Sequence, residues 1–254
     1  MYDGSESEAL ANVDLERQID EQAARQGRPS PLDVAFLSNR EMVTELFLIR
    51  HAHQRLDLAG AIGGYVDPPL SNLGEQQAQL LGATLSTRKI DVVYTSPLRR
   101  ARGTADAIAR HHRLEPVPVA DLTEIAVFRD APQHLSSLDF IGSEALATMR
   151  HRFIYERTWD VYPHSESSAE FRRRVLSAIE SIISDHAGHR VAVVCHGGVI
   201  NAYVSYVVGS KFDMLFRPAH TSISIVAAAD SIHTLYTLND VHHLSTVDGD
   251  FRTV

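Results

Sequence analysis

Four short apolar runs, Leu46 to Ile49, Val92 to Tyr94, Val191 to Cys195 and Ile223 to Ala228, alternate with longer stretches of helical composition. That alternation constrains the fold more tightly than any other feature of the chain. The runs are too short for helices and lack a polar face, which is the pattern of strands buried on both sides. His233 to Leu238 adds a candidate hairpin partner for the last run. Helices are expected over Leu73 to Leu85, Pro97 to His112 and Ser168 to Asp185, with Ser71, Ser96 and Ser167 as their N-caps. Ser167 and Glu170 also have capping-box spacing, and Pro97 suits a first helical turn. Strands alternating with helices predict an α/β sandwich with a largely parallel sheet, whose ligands sit at the carboxyl ends of the strands.

Two of those ends carry histidine. The first run leads into Arg50-His51-Ala52-His53 and the third ends in Cys195-His196-Gly197-Gly198. Backbone N–H groups at the helix starts after Ser96 and His196 can bind an anion, and glycines there allow it to come close. Arg99 and Arg100 lie near a helix start, where cations oppose the macrodipole, so a need for positive charge explains their presence. Two histidines, Arg50, one of the paired arginines and a helix N-terminus make a pocket suited to a phosphoryl group. A neutral imidazole can attack phosphorus and split one hard transfer into two easier ones. A carboxyl must protonate the leaving oxygen and can afterwards activate water. Glu124, in Asp121-Leu122-Thr123-Glu124, is the best candidate, although spacing does not single it out.

This pocket lies in an acidic chain. Its 254 residues include 24 Lys and Arg against 32 Asp and Glu, a formal charge of −8, which argues against general attraction to nucleic acid. No apolar stretch approaches the roughly 20 residues of a membrane helix, and Met1 to Leu10 is acidic rather than leader-like. The single Cys195 excludes an internal disulfide framework and a multi-cysteine zinc site. The expected setting is the cytoplasm, and the expected partner is a small-molecule phosphate ester, with no membrane or nucleic acid. Homo-oligomers are compatible with all of this. Residues 1–41 read as an appended extension, helical in composition from about Ser5 until Gly27, Pro29, Ser30 and Pro31 interrupt it.

The ordered motifs resemble those of the histidine phosphatase superfamily, also called the phosphoglycerate mutase-like family. Leu48-Ile49-Arg50-His51-Ala52 is similar to the family's Leu-Val-Arg-His-Gly signature. Asp67-Pro68-Pro69-Leu70-Ser71 with Gly74 and Gln77, and Ser96-Pro97-Leu98-Arg99-Arg100-Ala101 with Thr104-Ala105, resemble its next two segments. Leu122-Thr123-Glu124, Pro163 to Ser167 with Arg174-Val175, and Val194-Cys195-His196-Gly197-Gly198-Val199-Ile200 complete the series over about residues 45 to 238. The resemblance implies a three-layer α/β/α sandwich over residues 42–254, with a substrate-covering insertion around 125–167. It further implies a phosphomonoesterase working through phosphohistidine, with no metal or organic cofactor. His51 is then the nucleophile, Arg50, Arg100, His196 and Gly197 bind the phosphoryl group, and Glu124 donates the proton. Arg99 is the variable neighbour.

The departures from the family pattern set further expectations. Ala52 replaces the usual glycine and adds a methyl near the phosphate. Asp57 stands where an asparagine often contacts phosphate and would repel it if it pointed inward, while the loop after Glu124 lacks the family's usual continuation. A phosphoglycerate mutase is the alternative enzyme, disfavoured by that same loop. A binding or regulatory protein on an altered phosphatase fold is the alternative of another class. His51 and His53 also have metal-site spacing, but no later strand offers convincing further ligands. His111, His112, His242 and His243 are read as surface residues, Cys195 as a small buried one, and Phe128, Trp159, Tyr162 and His164 as packing residues of the insertion.

Overall fold

The computed structural model describes residues 33–34, 36–37, 42–55, 61–62, 67–246, 249–250 and 252–253. Most of the extension expected over residues 1–41, and Asp57, lie outside these residues. Strand β1 (Thr44–Arg50) leads to helix α1 (Asn72–Leu85), strand β2 (Val92–Thr95), helix α2 (Arg99–His112) and a short strand β3 (Val117–Pro118). Helices α3 (Ser137–Ile141) and α4 (Ser143–Glu156) form within the expected insertion, where periodicity predicted none. Helix α5 (Ser168–Asp185), strand β4 (Arg190–Cys195), helix α6 (Gly197–Val207) and strands β5 (Ile223–Ala229) and β6 (Ile232–Asp240) follow.

The six strands form one sheet in the order β3-β2-β4-β1-β5-β6. The first four strands in that order run parallel, and β5 and β6 each pair antiparallel with their neighbours. Alternation along β1 builds both cores. Leu46 and Leu48 pack with Val175, Ile179 and Tyr203 on the α5–α6 face, while Phe47 and Ile49 pack with Leu81, Leu85 and Ile108 on the α1–α2 face. Helices therefore cover both faces of the sheet, giving the expected three layers.

Two of the expected caps form. The Ser71 side chain accepts from the Gly74 N–H, and Ser167 and Glu170 make a complete capping box. Ser96 does not cap α2, which begins two residues later than expected with Leu98 at the N-cap. Asp67 supplies the missing acceptor, its Oδ1 lying 2.6 Å from the Arg99 N–H, where a carboxylate also complements the helix dipole. Ser96 is used elsewhere.

Candidate active site

Sheet register assembles the site. Arg50 is opposite Cys195, and Thr95 is opposite Val194, so the carboxyl ends of β1, β4 and β2 lie side by side. The ladder continues one residue further, with the His51 N–H bonded to Cys195 O and the Ser96 N–H bonded to Val194 O, both at 2.9 Å. His51, His196 and Ser96 thereby meet. The rings of His51 and His196 are 5.1 Å apart, and the Ser96 hydroxyl lies 2.8 Å from His196 Nε2. This contact explains why Ser96 is not an N-cap.

His51 is buried and held at both nitrogens. Nδ1 is 2.8 Å from Ala52 O, and the Arg100 Nε–H reaches Nε2 at 3.3 Å. With the proton on Nδ1, Nε2 presents a lone pair. Burial lowers the His51 pKa well below 6.5, and His196, Arg100 and Arg50 lower it further, so the ring is neutral near pH 7. His196 is lowered in the same way, first by burial and then by Arg100 and Arg50. Arg50 donates to Pro218 O at 2.5 Å, while its Nε is buried without a partner, as is His196 Nδ1. Burial brings the Arg50 pKa down to about 10, still far above neutrality. Arg100 is buried and faces the site, whereas the Arg99 side chain is exposed.

Glu124 enters from the loop after β3. One carboxylate oxygen accepts from the Ile125 N–H at 3.0 Å and the other from the Gly198 N–H at 3.1 Å. The second contact requires glycine at 198, because an added Cβ would fall onto Glu124 Oε1. The N–H group expected to receive an anion at Gly198 is thus engaged by this chain's own carboxylate, while Gly197 faces Arg50 and Pro218. Arg174 fixes the Glu124 loop from behind. Its guanidinium donates to the carbonyls of Asp121, Thr123 and Glu124 and forms a bidentate pair with Glu166 at 2.6 and 2.8 Å.

Two expectations need correction. The Ala52 methyl does not crowd the site; the side chain packs with Ala78 and Ala107 between α1 and α2. His243 is not on the surface but 8% exposed, with Nε2 3.0 Å from Thr221 Oγ1. Thr221 has a left-handed backbone, φ 57°, which strains a β-branched residue, and its N–H bonds to Arg50 O at 3.0 Å. His243 therefore braces a strained turn beside the site.

Sequence reasoning also missed His220. Its ring centroid lies 5.6 Å from that of His51 and 5.2 Å from that of His53, and its Nδ1 is 2.8 Å from Thr253 Oγ1. The only signal was a histidine three residues before the β5 run. His53 turns towards Ser71, with Nδ1 2.7 Å from its hydroxyl.

These buried histidines make stability depend on pH. Burial, with repulsion from Arg50 and His53, pushes His220 down to about 3, and burial pushes His243 down to about 4. An unfolded histidine takes up its proton near 6.5, so below that pH the unfolded chain binds more protons than the native one. The stabilisation is complete above about pH 6.5 and is lost as pH falls towards the folded values. For His243 the loss is at most roughly 3 kcal/mol. His243→Gln, which keeps a donor for Thr221, is expected to flatten the fall in thermal midpoint between pH 6.5 and 4. An unchanged slope in calorimetry would contradict this assignment.

Comparison with known proteins places the chain in a family. A sequence profile described as "Histidine phosphatase superfamily (branch 1)" matches residues 46–241. The chain is 31% identical over 225 residues to the metal-independent phosphoserine phosphatase of Arabidopsis thaliana, covering 83% of this chain and 90% of that protein. It is 30% identical over 211 residues to phosphoserine phosphatase 1 of Hydrogenobacter thermophilus, covering 80% and 95% respectively. The fold is similar to that of Bacillus stearothermophilus YhfR, with a TM-score of 0.66 at 24% identity over 79% of this chain and 98% of that one.

Proposed function

The chain belongs to the histidine phosphatase superfamily and hydrolyses phosphomonoesters, and on that premise we propose that it does so through a phosphohistidine on His51. The observation that carries this reading is the neutral His51 with its Nε2 lone pair directed towards Arg100, beside the unpartnered donors of Arg50 and His196. Nε2 forms the bond to phosphorus as the ester P–O bond breaks. The electron pair of that bond passes to the alcohol oxygen, which takes a proton from Glu124. Water then attacks phosphorus and gives its proton to the Glu124 carboxylate, the N–P bond breaks, and inorganic phosphate leaves.

Each remaining group has a part in this scheme. Arg50 and Arg100 neutralise the charge on the equatorial oxygens, His196 donates a hydrogen bond to them, and the preorganised donors need no rearrangement as that charge develops. If Ser96 donates to His196 Nε2, the proton stands on Nδ1, the buried atom without a partner. Gly197 leaves space for the anion. The N–H groups of Ile125 and Gly198 stabilise the Glu124 carboxylate that remains after proton donation. We take residues 42–254 as the catalytic domain and 125–167 as its insertion. The lone thiol, Cys195, is buried, which fits action in a reducing cytoplasm. Among the described residues no helix is long and apolar enough to cross a membrane.

Glu124→Gln tests the scheme. Single-turnover phosphorylation of an alkyl phosphate is expected to slow by about 10²- to 10⁴-fold, with much less effect on an activated aryl phosphate, because a phenolate departs without a proton. Equal slowing of both would remove Glu124 from the acid role. Phosphoserine, named in the relatives above, is the natural reference substrate.

A further inference from the structure

A cavity of about 660 Å³ opens from Arg100 and Glu124 along the insertion. Ile62, Leu98, Ile125, Val127 and Phe128 give it an apolar wall. Thr123, Gln133 and Ser137 add polar groups to the lining, and Arg129 and Arg150 add charge. Arg129 is already paired with Asp130 at 3.2 Å, whereas among the described residues Arg150 makes no ion pair.

The wall is rigid. Phe128 has a left-handed backbone, φ 58°, and its N–H donates to Ser165 Oγ at 2.8 Å. The Gln133 amide donates to the carbonyls of Phe128, Arg129 and Ala131, and the Phe128 ring meets Tyr162 edge-on at 5.9 Å. A bulky residue in that conformation is strained and persists only because its surroundings hold it there. The apolar surface is therefore built in advance rather than formed by collapse.

A phosphate ester of a short polar alcohol would leave most of this space to water against apolar walls. Cavities of about 300–1,000 Å³ enclose drug-sized ligands. Resting on the phosphatase reading above, we propose that the substrate is the phosphomonoester of an extended, largely apolar alcohol that ends in a carboxylate, which Arg150 binds. The phosphoryl group meets Arg50, Arg100 and His196, the apolar body lies against Ile125, Val127 and Phe128, and the carboxylate pairs with the guanidinium.

The test is kcat/KM for phosphoserine and for ω-carboxyalkyl phosphates of increasing chain length, each acid beside its methyl ester. Relative to phosphoserine, the best long-chain acid is expected to gain roughly tenfold or more, the range set by a few methylenes in an apolar pocket. Its methyl ester should lose about tenfold, as befits removal of one charged hydrogen-bonded pair. In Arg150→Gln the acid and ester should be turned over equally, a ratio that is independent of how much folded enzyme is present. A preference for phosphoserine, a flat dependence on chain length, or an acid-to-ester ratio unchanged in Arg150→Gln would overturn the proposal. Any of those results would leave phosphate release itself intact. Failure to release phosphate from every ester would instead overturn the reading beneath it.

Discussion

His51→Ala is expected to fold and to form no phosphoenzyme. The side chain presents its Nε2 lone pair to Arg100, and the neighbouring imidazoles are held by other partners: His196 Nε2 by Ser96, His53 Nδ1 by Ser71 and His220 Nδ1 by Thr253. Removing the nucleophile of a two-step hydrolase costs on the order of 10⁶ in kcat, because the remaining groups can only bind and polarise the ester. The anion clamp should survive, since Arg50 is anchored on Pro218 O and His196 on Ser96. The fold should survive with a modest loss, because the substitution removes the acceptor of the Arg100 Nε–H and the donor to Ala52 O, each worth about 1–3 kcal/mol if left unpaired. Rapid-quench labelling with a radiolabelled ester, stopped in base because phosphohistidine is acid-labile, reads the outcome directly. Labelling of His51→Ala at the wild-type level would assign the nucleophile elsewhere.

Arg100→Ala is expected to lower kcat by about 10²- to 10³-fold, the loss that follows removal of one preorganised donor from a developing anion. Arg99→Ala should change it by less than about threefold. The two residues are adjacent, but successive helix positions diverge by about 100°, so one faces the site and the other solvent. Arg100 is 6% exposed and donates to His51, whereas Arg99 is held through its backbone by Asp67 and its side chain is exposed. Loss of Arg100 also frees the His51 ring to turn, so phosphorylation should suffer more than binding of inorganic phosphate. Steady-state kinetics of both variants with one alkyl phosphate are sufficient. Equal effects would show that the inward placement of Arg100 has no part in turnover.

Local pattern alone located the strands that carry His51 and His196, the bounds of α5 and the caps at Ser71 and Ser167. These features depend on side-chain period and on hydroxyls bonding to backbone within three residues, so a short window of sequence contains their causes. The choice of Arg100 over Arg99 and of Glu124 as acid came from motif resemblance. In the structure Arg100 turns inward to His51, and the Glu124 carboxylate accepts from the Ile125 and Gly198 N–H groups.

Other features depended on contacts across the chain. Ser96 left its helix for His196, a hundred residues away in sequence, because parallel pairing of β2 with β4 brings the two strand ends together. Helices α3 and α4 lack strong periodicity, and only Leu146 among their residues is buried. Arg174 secures Glu124 through carbonyls that any sequence would supply. His220 stayed hidden for a topological reason. Ligand sites are sought at the carboxyl ends of parallel strands, but β5 runs antiparallel to β1, so it is the segment before its amino end that reaches the same edge of the sheet. The chain by itself determined which groups could do phosphoryl chemistry and which strands would present them. Tertiary structure alone decided which hydroxyl, carbonyl and imidazole groups surround them, because such partners are chosen by strand direction and packing rather than by neighbours in sequence.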